Sequence, residues 1–148
     1  MNTKIIDAAK EAFRQRLTDG NDVAAHTRNA QAIAKDWRRR VFELDPDNYQ
    51  YEVPISPEFD QRIDVLDKSE MCAYEFKVSG KNATAEFYKD VVKILLWNEH
   101  RKEKIRELVF ITEESWGRQF LDTPMPTAYI KYLQHHDLEV KLVYIAVT

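Results

Sequence analysis

The N-terminal third of the chain has the apolar spacing that is typical of two amphipathic helices. In the first stretch, apolar residues recur every three or four positions, at Ile5, Ile6, Ala9, Phe13 and Leu17. The second stretch repeats this spacing, at Ala30, Ile33, Ala34, Trp37 and Val41. Asp19-Gly20-Asn21-Asp22 should end the first helix and cap the second, and Asp45-Pro46-Asp47-Asn48 should end the second. The pattern therefore predicts a helical part over residues 1–48.

From residue 49 onward, short strand-like segments alternate with turns and helices. Three strands are predicted first, at Tyr49–Ile55, Arg62–Asp67 and Met71–Ser79, and the last two should form a hairpin. The elements predicted next are a helix from Ala83 to about Lys104, a strand at Glu107–Thr112, short helices at Glu113–Leu121 and Pro126–His136, and a strand at Glu139–Thr148. The last strand is apolar on both faces, which favours a position inside the sheet.

This order of elements predicts an α/β fold with a central mixed β-sheet flanked by helices. The chain has 148 residues, no internal repeat and no linker, so we expect a single domain over 1–148, with N-terminal helices and a core at 49–148. One cysteine excludes a disulfide framework and a Cys-rich zinc site. No apolar run approaches the ~20 residues that span a bilayer, and no signal peptide is evident, so we expect a cytoplasmic protein without a membrane partner.

The net charge of −3 hides an uneven distribution. Residues 1–43 carry a net +3, residues 44–80 a net −6, and residues 81–148 are neutral with ten basic side chains. The acidic total argues against a simple nucleic-acid coat protein. It is compatible with a nucleic-acid enzyme, because carboxylates that hold a metal ion also add negative charge.

The acidic centre contains the pattern that carries candidate chemistry. Glu75 and Lys77 are two residues apart on a predicted strand, so they point to the same face of the sheet. A two-residue hairpin turn pairs Asp64 with Ala73, whereas a four-residue loop pairs Asp64 with Glu75. Either register brings Asp64, Glu75 and Lys77 within about 5–8 Å of one another on one face. A solvated sheet face with an ion pair is the alternative reading.

Two carboxylates that converge in this way suit a Mg²⁺ or Mn²⁺ ion, with the Phe76 backbone carbonyl as a further ligand. Lys77 would then orient the attacking water or stabilise developing charge.

The segment Asp64, ten residues, then Glu75-Phe76-Lys77 resembles the motif of the PD-(D/E)xK nuclease superfamily. The predicted order of strands and helices over 49–148 resembles that family's restriction-endonuclease-like fold. The resemblance implies Mg²⁺-dependent phosphodiester hydrolysis, usually of DNA, with Asp64 and Glu75 as metal ligands and Lys77 as the catalytic lysine. Ile63 stands where the family motif has proline. Many members add an acid from an N-terminal helix, for which Glu11 and Glu43 are candidates.

Basic side chains around this centre are candidates for contacts to DNA phosphates, namely Lys81, Lys89, Lys93, Arg38 and Arg39. Each alone is more typical of a solvated helix face. The three tryptophans, Trp37, Trp97 and Trp116, are predicted to pack, although an exposed one could stack on a base. The leading hypothesis is a metal-dependent DNA endonuclease, for which a homodimer is one arrangement. The alternative is a catalytically inactive module of the same fold that binds nucleic acid or protein.

Overall fold

A computed structural model describes the backbone of residues 1–18 and 26–146, and the side chains of residues 1–15 and 30–146. The helices are α1 (Thr3–Thr18), α2 (His26–Leu44), α3 (Ala83–His100), α4 (Glu114–Phe120) and α5 (Pro124–Gln134). The strands are β1 (Tyr49–Pro54), β2 (Arg62–Asp67), β3 (Cys72–Lys77), β4 (Glu107–Glu113) and β5 (Glu139–Ile145). Every predicted helix and strand is present. The predicted break at Asp19 to Asp22 and the side chain of Leu17 lie outside the described residues.

The longest predicted helix is shorter than its apolar pattern indicated. Helix α3 ends at His100, and Arg101 has extended backbone angles of φ −120° and ψ 148°. The Arg101 N–H still donates to the Trp97 carbonyl, which completes the last turn. The arginine side chain then donates to the carbonyls of Pro54 and Ile55, at 3.1 Å each. These contacts connect the end of α3 to the last residue of β1 and to the residue that follows it.

The five strands form one mixed sheet in the order β1-β2-β3-β4-β5. The first three strands are antiparallel, and β3, β4 and β5 are parallel. Leu66 pairs with Ala73 and Asp67 with Cys72, so four residues connect β2 to β3. Of the two hairpin registers that the sequence left open, the structure has the one that sets Asp64 opposite Glu75.

The prediction that the last strand lies inside the sheet is wrong, because β5 is an edge strand beside β4. Both of its faces are apolar because both faces of the sheet are covered at this edge. Val140 and Leu142 belong to the core on the α3 and α5 side, whereas Val143 and Ile145 belong to the core on the α1 and α2 side. An apolar edge strand between two helical layers therefore has the same sequence pattern as a central strand.

The two faces of the sheet carry separate cores. On one face, α1 and α2 pack with Tyr74 and Phe76 of β3, and the Trp37 indole donates to the Ile5 carbonyl at 3.1 Å. On the other face, α3 packs with Ala73. Alternation along β3 therefore turns Glu75 toward α3. Within the part of the chain that the structure describes, no helix combines the length and the apolar character needed to cross a membrane.

Candidate active site

Two carboxylates face each other across the hairpin of β2 and β3. The Asp64 N–H donates to Glu75 Oε1 at 3.4 Å, and the Phe76 N–H donates to Asp64 Oδ2 at 3.2 Å. Each carboxylate is thus tied to the backbone of the other strand. Glu75 is 2% exposed, and Asp64 is half-buried. The predicted approach of Asp64 to Glu75 is confirmed.

Helix α3 adds two charged side chains that the sequence interpretation did not place in the site. The Lys93 Nζ lies 2.6 Å from Glu75 Oε1 and 2.9 Å from Asp90 Oδ1, and it donates to the Arg62 carbonyl at 2.8 Å. Both residues are almost fully buried. Lys93 was expected on an exposed face as a phosphate contact, but its ammonium is instead enclosed among these acceptors.

A signal for this arrangement was present in the sequence. Asp90 lies three residues after the buried Phe87, and Lys93 lies four residues before the buried Trp97. Positions three or four apart share one helix face. A charged residue on an apolar helix stripe therefore needs a partner across the core, and here that partner is Glu75.

The site opens into a cleft of about 350 Å³. Asp64, Glu75 and Phe76 line it from the two strands of the hairpin. Helix α2 contributes Ala30, Gln31 and Ala34, and helix α3 contributes Glu86, Lys89, Asp90 and Lys93. Lys77 lines the cleft beside Glu75 and is half-buried. Among the described residues, neither Lys77 nor Lys89 has an ion-pair partner, so both cations are available to an anionic ligand.

Burial shifts the protonation equilibria of this cluster. Loss of hydration raises the pKa of Glu75 well above its usual value, and the charges of Asp64 and Asp90 raise it further against the opposing effect of Lys93. Burial also raises the pKa of Asp90, to about 6, although the Lys93 ammonium opposes this shift. Burial lowers the pKa of Lys93, but the neighbouring carboxylates outweigh it and hold the pKa above its usual value. One buried ammonium is therefore paired with two buried carboxylates, and the carboxylate of Asp64 lies next to them.

The carboxylate oxygens of this cleft fit a cation site that water and substrate complete better than a site that protein ligands fill entirely. No described N–H group donates a hydrogen bond to Asp64 Oδ1 or Glu75 Oε2, and the two carboxyl groups lie within hydrogen-bonding distance of each other. Magnesium is commonly held by one or two carboxylates together with water and substrate phosphate. Within residues 1–18 and 26–146, no group of three or more His, Cys, Asp or Glu side chains is arranged to hold a metal ion. The role of the Phe76 carbonyl stays a prediction.

Neither acid that was suggested from the N-terminal helices lines the cleft. Glu43 is exposed and pairs with Arg39 at 3.0 Å. It lies 12 residues beyond Gln31 on the same helix, a separation of about 18 Å along the axis. Glu11 is also exposed and pairs with Arg14 at 3.5 Å. The geometry therefore does not support either residue as a third metal ligand; the additional acids of the cleft come from α3.

Of the other basic residues predicted as phosphate contacts, the two arginines are paired, whereas Lys81 and Lys89 have no ion-pair partner among the described residues. Arg38 lies 3.7 Å from Glu52, and Arg39 lies 2.6 Å from Asp36, so their charges are largely compensated. Lys81, in contrast, is exposed and has no ion-pair partner among the described residues. Within the described residues, the uncompensated positive charge next to the cleft therefore comes from Arg62 at the start of β2 and from lysines on β3, on α3 and on the loop between them.

Comparison with known proteins gives no family model, no curated protein and no solved structure that matches this chain. The resemblance to the PD-(D/E)xK superfamily accordingly stays a prediction from the motif and the order of elements.

Proposed function

We propose that this protein is a metal-dependent phosphodiesterase with a restriction-endonuclease-like fold, and that its substrate is DNA, cut as an endonuclease. The observation that carries the proposal is the crossed pair of Asp64 and Glu75 in the lining of a cleft, beside the Lys77 ammonium, which has no ion-pair partner among the described residues. A buried excess of carboxylates is unfavourable without a cation. A divalent cation and a phosphate bound together would compensate the carboxylates and the lysines of this cleft.

Each residue of the site would have its own role in phosphodiester hydrolysis. Asp64 and Glu75 would hold Mg²⁺ or Mn²⁺, with the Phe76 carbonyl as a further ligand. The bound ion would supply Lewis-acid stabilisation of the charge that develops on the phosphoryl oxygens. Lys77 would orient the attacking water and stabilise its negative charge, and Lys89 would contact a phosphate from the rim. Lys93 would act as a positioning residue, because it holds Glu75 Oε1 in place.

A second candidate function is a catalytically inactive module that binds nucleic acid or protein. One observation favours it: the Lys93 ammonium, 2.6 Å from Glu75 Oε1, already provides the cationic partner that a metal ion would provide. A site compensated internally in this way has no need of metal. The lysines of the cleft would then bind phosphates without cutting them.

Cleavage and metal titration distinguish the two functions. Supercoiled plasmid, linear duplex and single-stranded DNA are incubated with the protein in Mg²⁺, Mn²⁺ or EDTA. For a nuclease, we expect cleavage in metal, and loss of about 10²–10⁴ in rate for Lys77→Ala. Lys131→Ala, which removes an exposed lysine from α5, is the matched control and should cut normally.

Calorimetric titration with Mn²⁺ completes the test. A nuclease should bind Mn²⁺ and lose that binding in Asp64→Asn. Absence of cleavage on all three substrates, together with oligonucleotide binding that is unchanged by EDTA, would contradict the nuclease proposal and favour the binding module. Because a duplex has two strands, we also propose a homodimer for double-strand cleavage, which sedimentation of the protein on DNA tests.

A further inference from the structure

A second cavity, of about 720 Å³, opens beside the candidate active-site cleft. The two cavities share four lining residues, Ala30, Gln31, Lys77 and Ser79. The two cavities are therefore adjacent, with Lys77 at the boundary. The size of the second cavity falls in the range of about 300–1,000 Å³ that is typical of sites for small organic groups.

Aromatic rings and lysine side chains line this second cavity. Trp116 and Phe120 of α4 form one wall, and both side chains are half-buried. One face of the indole packs against Gly80, where an added Cβ would lie only 2.6 Å from Trp116 Cδ1 and 2.7 Å from Nε1. Lys77 and Lys81 have no ion-pair partners within the described residues. The cavity thus offers a held aromatic surface together with two cations that can contact phosphates.

We propose that this second cavity binds an unpaired base of the DNA strand, next to the phosphate held in the cleft. The inference rests on the proposed function, and it specifies that the strand in the cleft is unpaired at this base, either in a single strand or in a duplex from which the base has left the stack. Bases inside a duplex are stacked and must leave the stack to enter a protein cavity. Aromatic side chains that stack on bases, combined with lysines along the backbone, are the means by which proteins bind single strands without sequence preference.

Tryptophan fluorescence provides a direct readout of this contact. Trp37 is fully buried and Trp97 is 5% exposed, so Trp116 is the indole that a ligand in the cavity can reach. The probes are a single-stranded ten-nucleotide oligothymidylate, its duplex with oligoadenylate, and an abasic strand of equal length and charge. All are titrated in EDTA, so that binding is measured without cleavage.

We expect the oligothymidylate to quench the fluorescence and to bind more tightly than the other two probes. Trp116→Ala should weaken its binding by about 5- to 150-fold and leave the abasic strand unaffected. Trp116→Phe should abolish the quenching while it retains much of the affinity, and circular dichroism verifies that both variants fold. Trp97→Phe is the control in which quenching persists. Lys81→Gln should weaken the base-containing and abasic strands alike.

Equal binding of the abasic strand and the oligothymidylate, without quenching in the wild-type protein, would overturn the inference. The same holds if Trp116→Phe, correctly folded, shows unchanged quenching. Failure of the proposed function has a different outcome, since base-dependent quenching in EDTA would persist in a protein that cuts no DNA with Mg²⁺ or Mn²⁺.

Discussion

Replacement of Lys93 by methionine tests both the electrostatics of the site and its capacity for metal. Methionine retains the length and apolar stem of lysine but removes the ammonium that serves Glu75 and Asp90. Two buried carboxylates then face each other and Asp64 without a cation. We expect the variant to be less stable than the wild type at pH 8.

The size of the loss follows from the burial of the pair. Glu75 is 2% exposed and Lys93 is 6% exposed, so water compensates little of the lost interaction. Removal of one partner of a buried ion pair typically costs about 3–5 kcal/mol. For a chain of this length, that corresponds to a decrease of about 10–15 °C in the melting temperature. At pH 5 the loss should be smaller, because the raised pKa values of Glu75 and Asp90 allow both to take up protons.

Thermal unfolding of Lys93→Met with and without metal is the assay. A divalent cation should take the place of the ammonium, so 10 mM Mg²⁺ or Mn²⁺ should raise the melting temperature of the variant more than that of the wild type. Lys89→Met is the matched control, with the same substitution one turn earlier on the same helix. Lys89 is exposed and unpaired among the described residues, so we expect a change within about 0.5 kcal/mol.

Two results would refute this reasoning. If Lys93→Met loses no more stability at pH 8 than Lys89→Met, the buried ion pair is not the stabilising contact that its geometry indicates. If Lys93→Met is destabilised but metal raises the melting temperature of neither protein, the carboxylates do not form a divalent cation site. The binding module would then be the function that better explains the cleft.

Two further predictions concern pH and packing. Because the pKa of Asp90 in the folded state, about 6, lies above its usual value of 3.8, the folded state binds this proton more tightly. The stability that protonation of Asp90 contributes is therefore complete below about pH 4 and is lost as the pH rises through about 6. In Asp90→Asn, the melting temperature should depend less on pH over this window. A pH profile of the melting temperature that equals that of the wild type would contradict the raised pKa of Asp90. In Gly117→Ala, the new Cβ would lie 2.2 Å from Tyr144 Cε1, so urea unfolding should show a loss of about 1–3 kcal/mol. Gln119→Ala, at an exposed position of the same helix, is the control, and an equal effect in both variants would contradict the steric argument.

The elements of the fold were largely predictable because their signals are local. Strand β2 has the bounds that were predicted, and the hairpin to β3 follows from alternation on both sides of one short loop. The position of β5 was not predictable in this way. Apolar residues on both faces indicate that both faces are covered, but they do not say whether another strand lies on each side.

In the candidate site, too, contacts between neighbouring residues were predictable and contacts between distant residues were not. The approach of Asp64 to Glu75 depends on a hairpin of neighbouring residues, so their spacing in the sequence was sufficient to predict it. The partnership of Glu75 with Lys93 depends on how α3 crosses the sheet, and the sequence interpretation instead placed Lys93 among exposed phosphate contacts. The ion pair of Arg38 was unpredictable for the same reason, because its charge is compensated by Glu52 on β1, a different element of the fold.

By itself, the sequence determined the order of helices and strands, the hairpin, and the convergence of two carboxylates at its centre. Periodicity and turn chemistry act over a few residues, so a linear pattern is enough to read them. Only the tertiary structure decided the edge position of β5, the burial of Asp90 and Lys93, and the position of the cleft next to the cavity at Trp116. Those features depend on contacts between segments that are distant in the chain, and such contacts set the burial and the partners of each charge.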